Sequence, residues 1–213
     1  MYLKENLSIN HQAPKVSGSK AFWVSKYFFD VIVSLLMLPI LIFFTIVLFV
    51  VNSIFRLGPV FYLQNRMGLN CTGFIAIKFK TMRPTDTIER KFDDPVEINR
   101  ITWIGNILRK YRLDELPQII NVLKGDMSLI GPRPDFYDHA IVFMEKIDEY
   151  KLRYLIKPGI SGLAQTRLGY AEGLDATRKK TFTDLYYIEN VGLILEAKIL
   201  INTITVVFKR MGI

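Results

Sequence analysis

Residues Phe22 to Val51 read FWVSKYFFDVIVSLLMLPILIFFTIVLFVV. The only ionisable groups among them are Lys26 and Asp30, and from Val31 onward the run is apolar except for Ser34 and Thr45. A membrane helix needs about 20 consecutive apolar residues, so this stretch is long enough with some to spare. A cleaved signal peptide fits poorly, because the run is too long and no small-residue cleavage site follows it. A buried core helix fits poorly as well, because the run has no polar face. The chain is therefore expected to meet a bilayer.

Pro39 lies near the middle of the run. Proline removes a backbone donor and clashes with the preceding turn, so the helix is expected to kink or break there. Basic residues flank both sides: Lys4, Lys15, Lys20 and Lys26 before the apolar stretch, Arg56 and Arg66 after it. A helix that crosses once should be asymmetric in charge, whereas one that enters, bends and returns places both flanks near anionic headgroups. A re-entrant hairpin broken near Pro39 is the favoured reading, with a kinked single span as the alternative. Lys26 and Asp30, one turn apart, are expected to pair with each other at the interface.

The remaining composition narrows the field. At 213 residues the chain is long enough for one ordinary domain with a small appendage. Half of the residues are hydrophobic and the mean hydropathy is +0.23, high for a soluble protein and consistent with one concentrated apolar segment. The net charge of +8 favours anionic lipid or a phosphorylated substrate, and no nucleic-acid motif is present. A single cysteine, Cys71, excludes an internal disulfide framework and suits a reducing compartment. Two histidines and one cysteine cannot build the usual zinc site, so any metal is expected to be a hard cation held by carboxylates and phosphates.

Beyond the apolar run, residues 60–82 read as a β-hairpin turning at Gly68 to Gly73, and Thr85 to Asn99 as an exposed loop. Helices are expected at about Thr102–Lys110, Asp135–Leu155 and Ala176–Ile188. Ala197–Lys209 reads as a helix, preferably a core element, with a strand left open by its Ile and Val content. The fold class is α+β, mainly helical. Residues 1–20 form an N-terminal basic segment, 21–55 the membrane-inserted helix and 56–213 the cytoplasmic domain.

The stretch YRLDELPQIINVLKGDMSLIGPRP, Tyr111 to Pro134, carries adjacent carboxylates. Asp is a preferred N-cap, Pro117 suits a first helical turn and Gly125 is a typical stop, so a helix is expected from about Asp114 to Lys124. Its N-terminus, with Arg109 and Arg112 nearby, favours ionised Asp114 and Glu115 and also attracts phosphate. An ionised, partly desolvated aspartate is a competent nucleophile toward phosphorus, and a neighbouring glutamate can position a cation or move a proton. The same pattern describes a plain helix cap, and local evidence leaves both readings open. Pro132 and Pro134 stiffen the chain around Arg133, which suits it to gripping phosphate oxygens, although an extended connector with a solvated arginine fits equally. Lys78, Lys80 and Arg83 end a predicted strand, with Lys78 and Lys80 on one face; a solvated basic edge is the alternative.

YLQNRMG, KFKTM, LRKYRLDELPQIINVLKGDMSLIGPRP, KPGISGLAQ and DLYYIEN, in that order after an apolar segment, resemble the bacterial sugar transferase family, specifically its monotopic polyisoprenyl-phosphate hexose-1-phosphate transferases in minimal catalytic form. The resemblance covers about residues 22 to 210. It implies transfer of a sugar-1-phosphate from a nucleotide diphosphate sugar, of the UDP type, to polyprenol phosphate (undecaprenyl phosphate), releasing UMP. The family's Asp-Glu dyad falls on Asp114 and Glu115, with the aspartate forming a covalent phosphosugar and Mg²⁺ assisting at the same pair. Arg112, Arg133, Lys78, Lys80 and Arg83 then become phosphate-binding candidates, and the membrane helix break falls on Pro39. The implied location is the cytoplasmic face of the bacterial inner membrane, with anionic lipids as further partners.

Departures from the family pattern are informative. Many members carry serine before the mid-helix proline, where this chain has Leu38, and a common Gly-Trp-Ala-Gln is here Gly162, Leu163, Ala164 and Gln165. The following TRLGYAEG replaces a frequent Val-Asn-Gly-Arg, which places Gln165 and Arg167 in a region concerned with donor or acceptor. Two other classes stay in view: a membrane-bound glycosyltransferase that releases UDP, and a non-catalytic, basic, membrane-anchored scaffold.

Overall fold

The computed structural model describes residues 14–55, 57–83, 97–168 and 173–208. Lys4, Arg56 and nearly all of the loop expected at Thr85–Asn99 lie outside these. The apolar run forms α1, Lys20–Phe55. Ser19 starts it, its hydroxyl accepting from the Phe22 N–H at 3.1 Å, which satisfies one of the orphan donors of the first turn. Pro39 lies inside α1, and the helix continues through it.

One stripe of α1 faces the rest of the protein. Lys26, Asp30, Ser34, Leu41 and Leu48 are buried, at spacings of four and seven that keep them on one side of a helix. The other side leaves Phe28, Ile32, Leu36, Phe43 and Phe49 more than half exposed. Lys26 and Asp30 do not pair with each other as the sequence suggested. Lys26 Nζ meets Glu196 Oε2 at 2.6 Å, and Asp30 accepts from the Ser128 hydroxyl at 2.6 Å and from the Leu129 N–H at 3.4 Å. Each charge finds a partner in the domain, so both are buried without being left unpaired.

The hairpin is formed by β1, Phe61–Met67, and β2, Gly73–Phe79, antiparallel from Phe61 opposite Phe79 to Met67 opposite Gly73. Thr102 caps α2, Trp103–Lys110, accepting from the Gly105 N–H. A 3-10 turn at Leu113–Glu115 leads to α3, Gln118–Lys124, which Gly125 ends at φ +86°. Leu41 and Leu48 of α1 share a cluster with Phe79, Leu108 and Ile119, so the second half of α1 packs on the hairpin, α2 and α3.

A second pairing has no local sequence signal. The strands β3, Ser128–Ile130, and β4, Gly159–Ser161, run parallel. They bring the Gly-Pro-Arg-Pro and Lys-Pro-Gly-Ile-Ser-Gly segments together so tightly that a Cβ on Gly159 would fall 2.1 Å from the Gly131 nitrogen, and one on Gly162 would fall 2.4 Å from the Gly131 oxygen. Only glycine permits that backbone contact.

The single helix expected over Asp135–Leu155 is instead α4, Tyr137–Lys146, followed by a 3-10 segment at Tyr150–Leu155. Ile147 between them is extended and buried. The bend turns Tyr150 and Tyr154 back onto Phe143 and Met67, which a straight helix could not do. The chain ends in α5, Leu163–Leu168, α6, Leu174–Asn190, and α7, Leu193–Phe208. Thus the last segment is helical. Ile199 seats it in the core beside Tyr187 and Ile188, while Leu193, Ile194 and Ile201 stay exposed.

Candidate active site

Asp114 is not the N-cap of α3. A capping Asp114 carboxylate would accept from the N–H of residue 116 or 117, and Pro117 has no N–H to offer. The chain instead closes 3-10 bonds, Glu115 N–H to Arg112 O at 3.3 Å and Leu116 N–H to Leu113 O at 3.1 Å, and the α-helix begins only after Pro117. Arg112 enters this turn at φ +54°, a left-handed conformation that is uncommon for a side-chain-bearing residue and collects at functional sites.

The two carboxylates differ sharply in their surroundings. Glu115 is buried and surrounded by cations. Arg133 grips both of its oxygens, through NH1 to Oε2 at 3.1 Å and NH2 to Oε1; Lys78 Nζ lies 3.2 Å from Oε1, and Arg112 NH1 lies 3.9 Å from Oε2. Asp114 is half-buried, and among the described residues no hydrogen bond or ion pair engages its carboxylate.

Titration follows from these contacts. Burial pushes the Asp114 carboxyl up, the Glu115 charge pushes it further, and Lys78, Arg133 and Arg109 act against both. Burial would also raise Glu115, but Arg133 and Lys78 outweigh it and hold that carboxyl well below the usual range. Burial brings Lys78 down to about 8, with Glu115 opposing and Arg133 and Arg66 adding to the fall. The site holds one fixed anion and one neighbour whose protonation changes more readily.

Of the phosphate-binding candidates, Arg133, Lys78 and Arg112 converge on the dyad. Lys80 follows the end of β2, and its ammonium lies beside Gly58. Arg83 is exposed, and its backbone pairs with Arg100. The Gln165 amide donates to the Ile160 carbonyl at 3.5 Å while its Oε1 is buried without a partner, and Arg167 lies over the Tyr186 ring. No hydrogen bond or ion pair joins any of these four to Asp114 or Glu115 among the described residues.

A second charged cluster, unread in the sequence, supports Arg133 from behind. Arg153 is fully buried between the rings of Tyr150 and Tyr154. Its guanidinium donates to Asp184 at 2.8 Å, to Asp135 at 2.6 Å and to the Arg133 carbonyl at 2.9 Å. Arg66 binds the Pro134 carbonyl, and the Met67 N–H binds that of Asp135 at 3.1 Å. Three consecutive carbonyls are therefore held, and the side chain they carry is the one that clamps Glu115. The acid directly after Pro-Arg-Pro was the available signal for this cluster.

No group of three or more His, Cys, Asp or Glu suited to a metal occurs among the described residues. Both Glu115 oxygens already face cations, which leaves Asp114 as the uncommitted carboxylate of the pair among the described residues. That set fits Mg²⁺, which usually keeps its waters and binds one or two carboxylates together with substrate phosphates.

A caged carboxylate beside an uncommitted one, in a domain strapped to a long apolar helix, defines a protein suited to phosphate chemistry at a membrane. The family model described as bacterial sugar transferase matches residues 21–210, and the chain belongs to that family. It is 43% identical over 156 residues to the UDP-N-acetylgalactosamine-undecaprenyl-phosphate N-acetylgalactosaminephosphotransferase of Aeromonas hydrophila, covering 73% of this chain and 37% of that protein. It is 38% identical over 154 residues to the UDP-glucose:undecaprenyl-phosphate glucose-1-phosphate transferase of Caulobacter vibrioides, covering 69% and 56%. The exopolysaccharide production protein PSS of Rhizobium leguminosarum bv. phaseoli is 35% identical over 195 residues, covering 85% of this chain and 94% of the relative.

Proposed function

We propose that this chain transfers a sugar-1-phosphate from a UDP-sugar to undecaprenyl phosphate through an aspartyl intermediate on Asp114. The observation that carries the reading is the contrast within the dyad, where Glu115 is held by three cations while no hydrogen bond or ion pair engages the Asp114 carboxylate among the described residues. In the first step an Asp114 oxygen bonds to the sugar-bearing phosphorus, the bond from that phosphorus to the bridging oxygen breaks, and UMP leaves. In the second, a phosphate oxygen of the polyprenyl phosphate bonds to the same phosphorus and Asp114 is released unchanged. Arg133, Lys78 and Arg112 supply positive charge beside the point where two anions must approach. Bound Mg²⁺, held by Asp114 and the donor diphosphate, would supply further charge neutralisation.

The membrane placement in this reading is supported by α1. Its first half is tied to the domain at Lys26 and Asp30, its second half at Leu41 and Leu48. Twenty-two residues of helix extend about 33 Å, comparable to the roughly 30 Å hydrocarbon thickness of a bilayer. A straight crossing would carry one set of contacts away from the side on which the domain sits. A helix that dips in, bent where Pro39 leaves the Leu35 carbonyl without its usual donor, keeps both sets at one face. We place that face in the cytoplasm, where nucleotide sugars are found.

Product analysis tests the chemistry: incubation with UDP-sugars, undecaprenyl phosphate and Mg²⁺ should yield UMP, and release of UDP would overturn it. For topology, Asn10→Cys and Pro59→Cys in a Cys71→Ser background should both label from the cytoplasmic side. Protection of either one would argue for a single crossing.

A further inference from the structure

Between the first half of α1 and the domain lies a cavity of about 370 Å³, within the range of small-molecule sites. Val31, Val122, Met127 and Ile156 supply apolar wall. Lys26, Asp30, Ser128 and Lys157 also line it. The first three are committed to one another's neighbourhood, Lys26 to Glu196 and Asp30 to Ser128 and the Leu129 N–H. Lys157 differs. Its ammonium sits 5.9 Å from the centre of the Tyr27 ring, next to Gly125 at the end of α3, and among the described residues no carboxylate lies within ion-pair distance of it.

The uncommitted charge of the cavity is thus a single cation above apolar walls. Tyr27 borders the cavity and is itself about half exposed, next to exposed Val24 and Phe28 on the outward side of α1. The opening therefore adjoins the surface that the proposed membrane placement presents to lipid. Trp23 and Tyr27 are the side chains favoured at that depth.

We infer that this cavity binds a hydrocarbon chain of an anionic membrane phospholipid, with its phosphate held by Lys157. Charge and wall chemistry together select an amphiphile, since a free phosphate would leave the apolar walls unfilled and a neutral lipid would leave the ammonium unpaired. The polyprenyl phosphate acceptor shares this chemistry but has another destination. Its phosphate must reach Asp114, which precedes α3, whereas the cavity contacts α3 at Val122 and the chain after it at Met127. The site is thus a resident lipid position, separate from the reacting pair, and it rests on the membrane placement above.

The test uses full-length protein in nanodiscs of phosphatidylcholine with increasing phosphatidylglycerol, followed by detergent extraction and mass spectrometry of retained lipid. Wild type should retain phosphatidylglycerol over phosphatidylcholine by about fivefold, the preference a single lysine gives near a lipid surface. Lys157→Met should keep a bound lipid and lose the preference. Val31→Trp, which fills the cavity, should lose the lipid altogether, with Met127→Phe used in its place if the tryptophan lowers the melting temperature. Equal retention of both lipids by wild type, or an unchanged preference in Lys157→Met, would overturn the inference. So would one-for-one displacement of phosphatidylglycerol by undecaprenyl phosphate, which would make the acceptor the occupant. Recovery of the chain in the soluble fraction without detergent is a distinct failure, removing the membrane placement and the inference together.

Discussion

The Glu115 cage and the Arg153 cluster are both networks of buried charge, and they share the segment Arg133–Asp135. Around Arg153 nearly every polar atom is used: three acceptors on the guanidinium, a Tyr150 hydroxyl on Asp135 at 2.6 Å, and Lys180 on the same carboxylate. One oxygen of Asp184 is the exception. The dyad is also a cluster of charges, yet among the described residues no hydrogen bond or ion pair engages the Asp114 carboxylate and the Arg112 Nε has no hydrogen-bond partner. Saturation fixes a structure, and incompleteness leaves room for a substrate. The two networks sit back to back, so the saturated one holds the incomplete one in shape.

That comparison can be broken first at Asp114. Asp114→Asn should reduce turnover on the order of ten-thousandfold or more, measured as UMP release, with a nearly unchanged melting temperature because no hydrogen bond or ion pair of the described residues is lost. A large fall in stability instead would mean that Asp114 belongs to the structural network. On the other side, Arg153→Met should cost about 3–5 kcal/mol in denaturant unfolding, since it leaves buried Asp135 and Asp184 short of a cation. Arg133→Lys stands between the two networks. It keeps the charge but loses the fork on Glu115, and should lower kcat by about a hundredfold with stability nearly unaltered.

A smaller effect sharpens the electrostatics. On the proposed mechanism Asp114 reacts as the anion, so kcat/KM should rise with pH through a carboxyl pKa above the ordinary aspartate value. It should fall again above about 8 as Lys78 loses its proton. Lys78→Arg should remove that alkaline fall. Stability has a different dependence. Glu115 and Asp135 are both held below their ordinary values, so their contribution is complete above the unfolded carboxylate range. It is lost as pH falls through about 4.5 and below, visible as a declining melting temperature.

Local signals were readable where the physics is local. The length of α1, the Thr102 cap and the glycine-flanked hairpin each follow from a few adjacent residues. The adjacent carboxylates were visible, though of the two readings left open the helix cap does not form, because Pro117 lacks an N–H that a capping aspartate would use. Long-range pairings were beyond reach. Strands of three residues at Ser128–Ile130 and Gly159–Ser161 carry too little periodicity, and nothing local joins Arg153 to Asp184 across 31 positions. The break at Ile147 belongs to the same class, since it is the destination of Tyr150 and Tyr154 that bends the chain.

The ties from Lys26 to Glu196 and from Asp30 to Ser128 have a mechanical consequence. An apolar helix joined to its domain by a flexible linker can tilt on its own to suit the bilayer it meets. Here the helix is bolted to the domain at one end and packed against it at the other, so it cannot tilt alone. A thinner or thicker bilayer must move the whole molecule, and the height of Asp114 above the hydrocarbon moves with it. On the membrane placement and mechanism proposed above, lipid chain length thereby becomes a setting of how deep the Asp114 carboxylate rides.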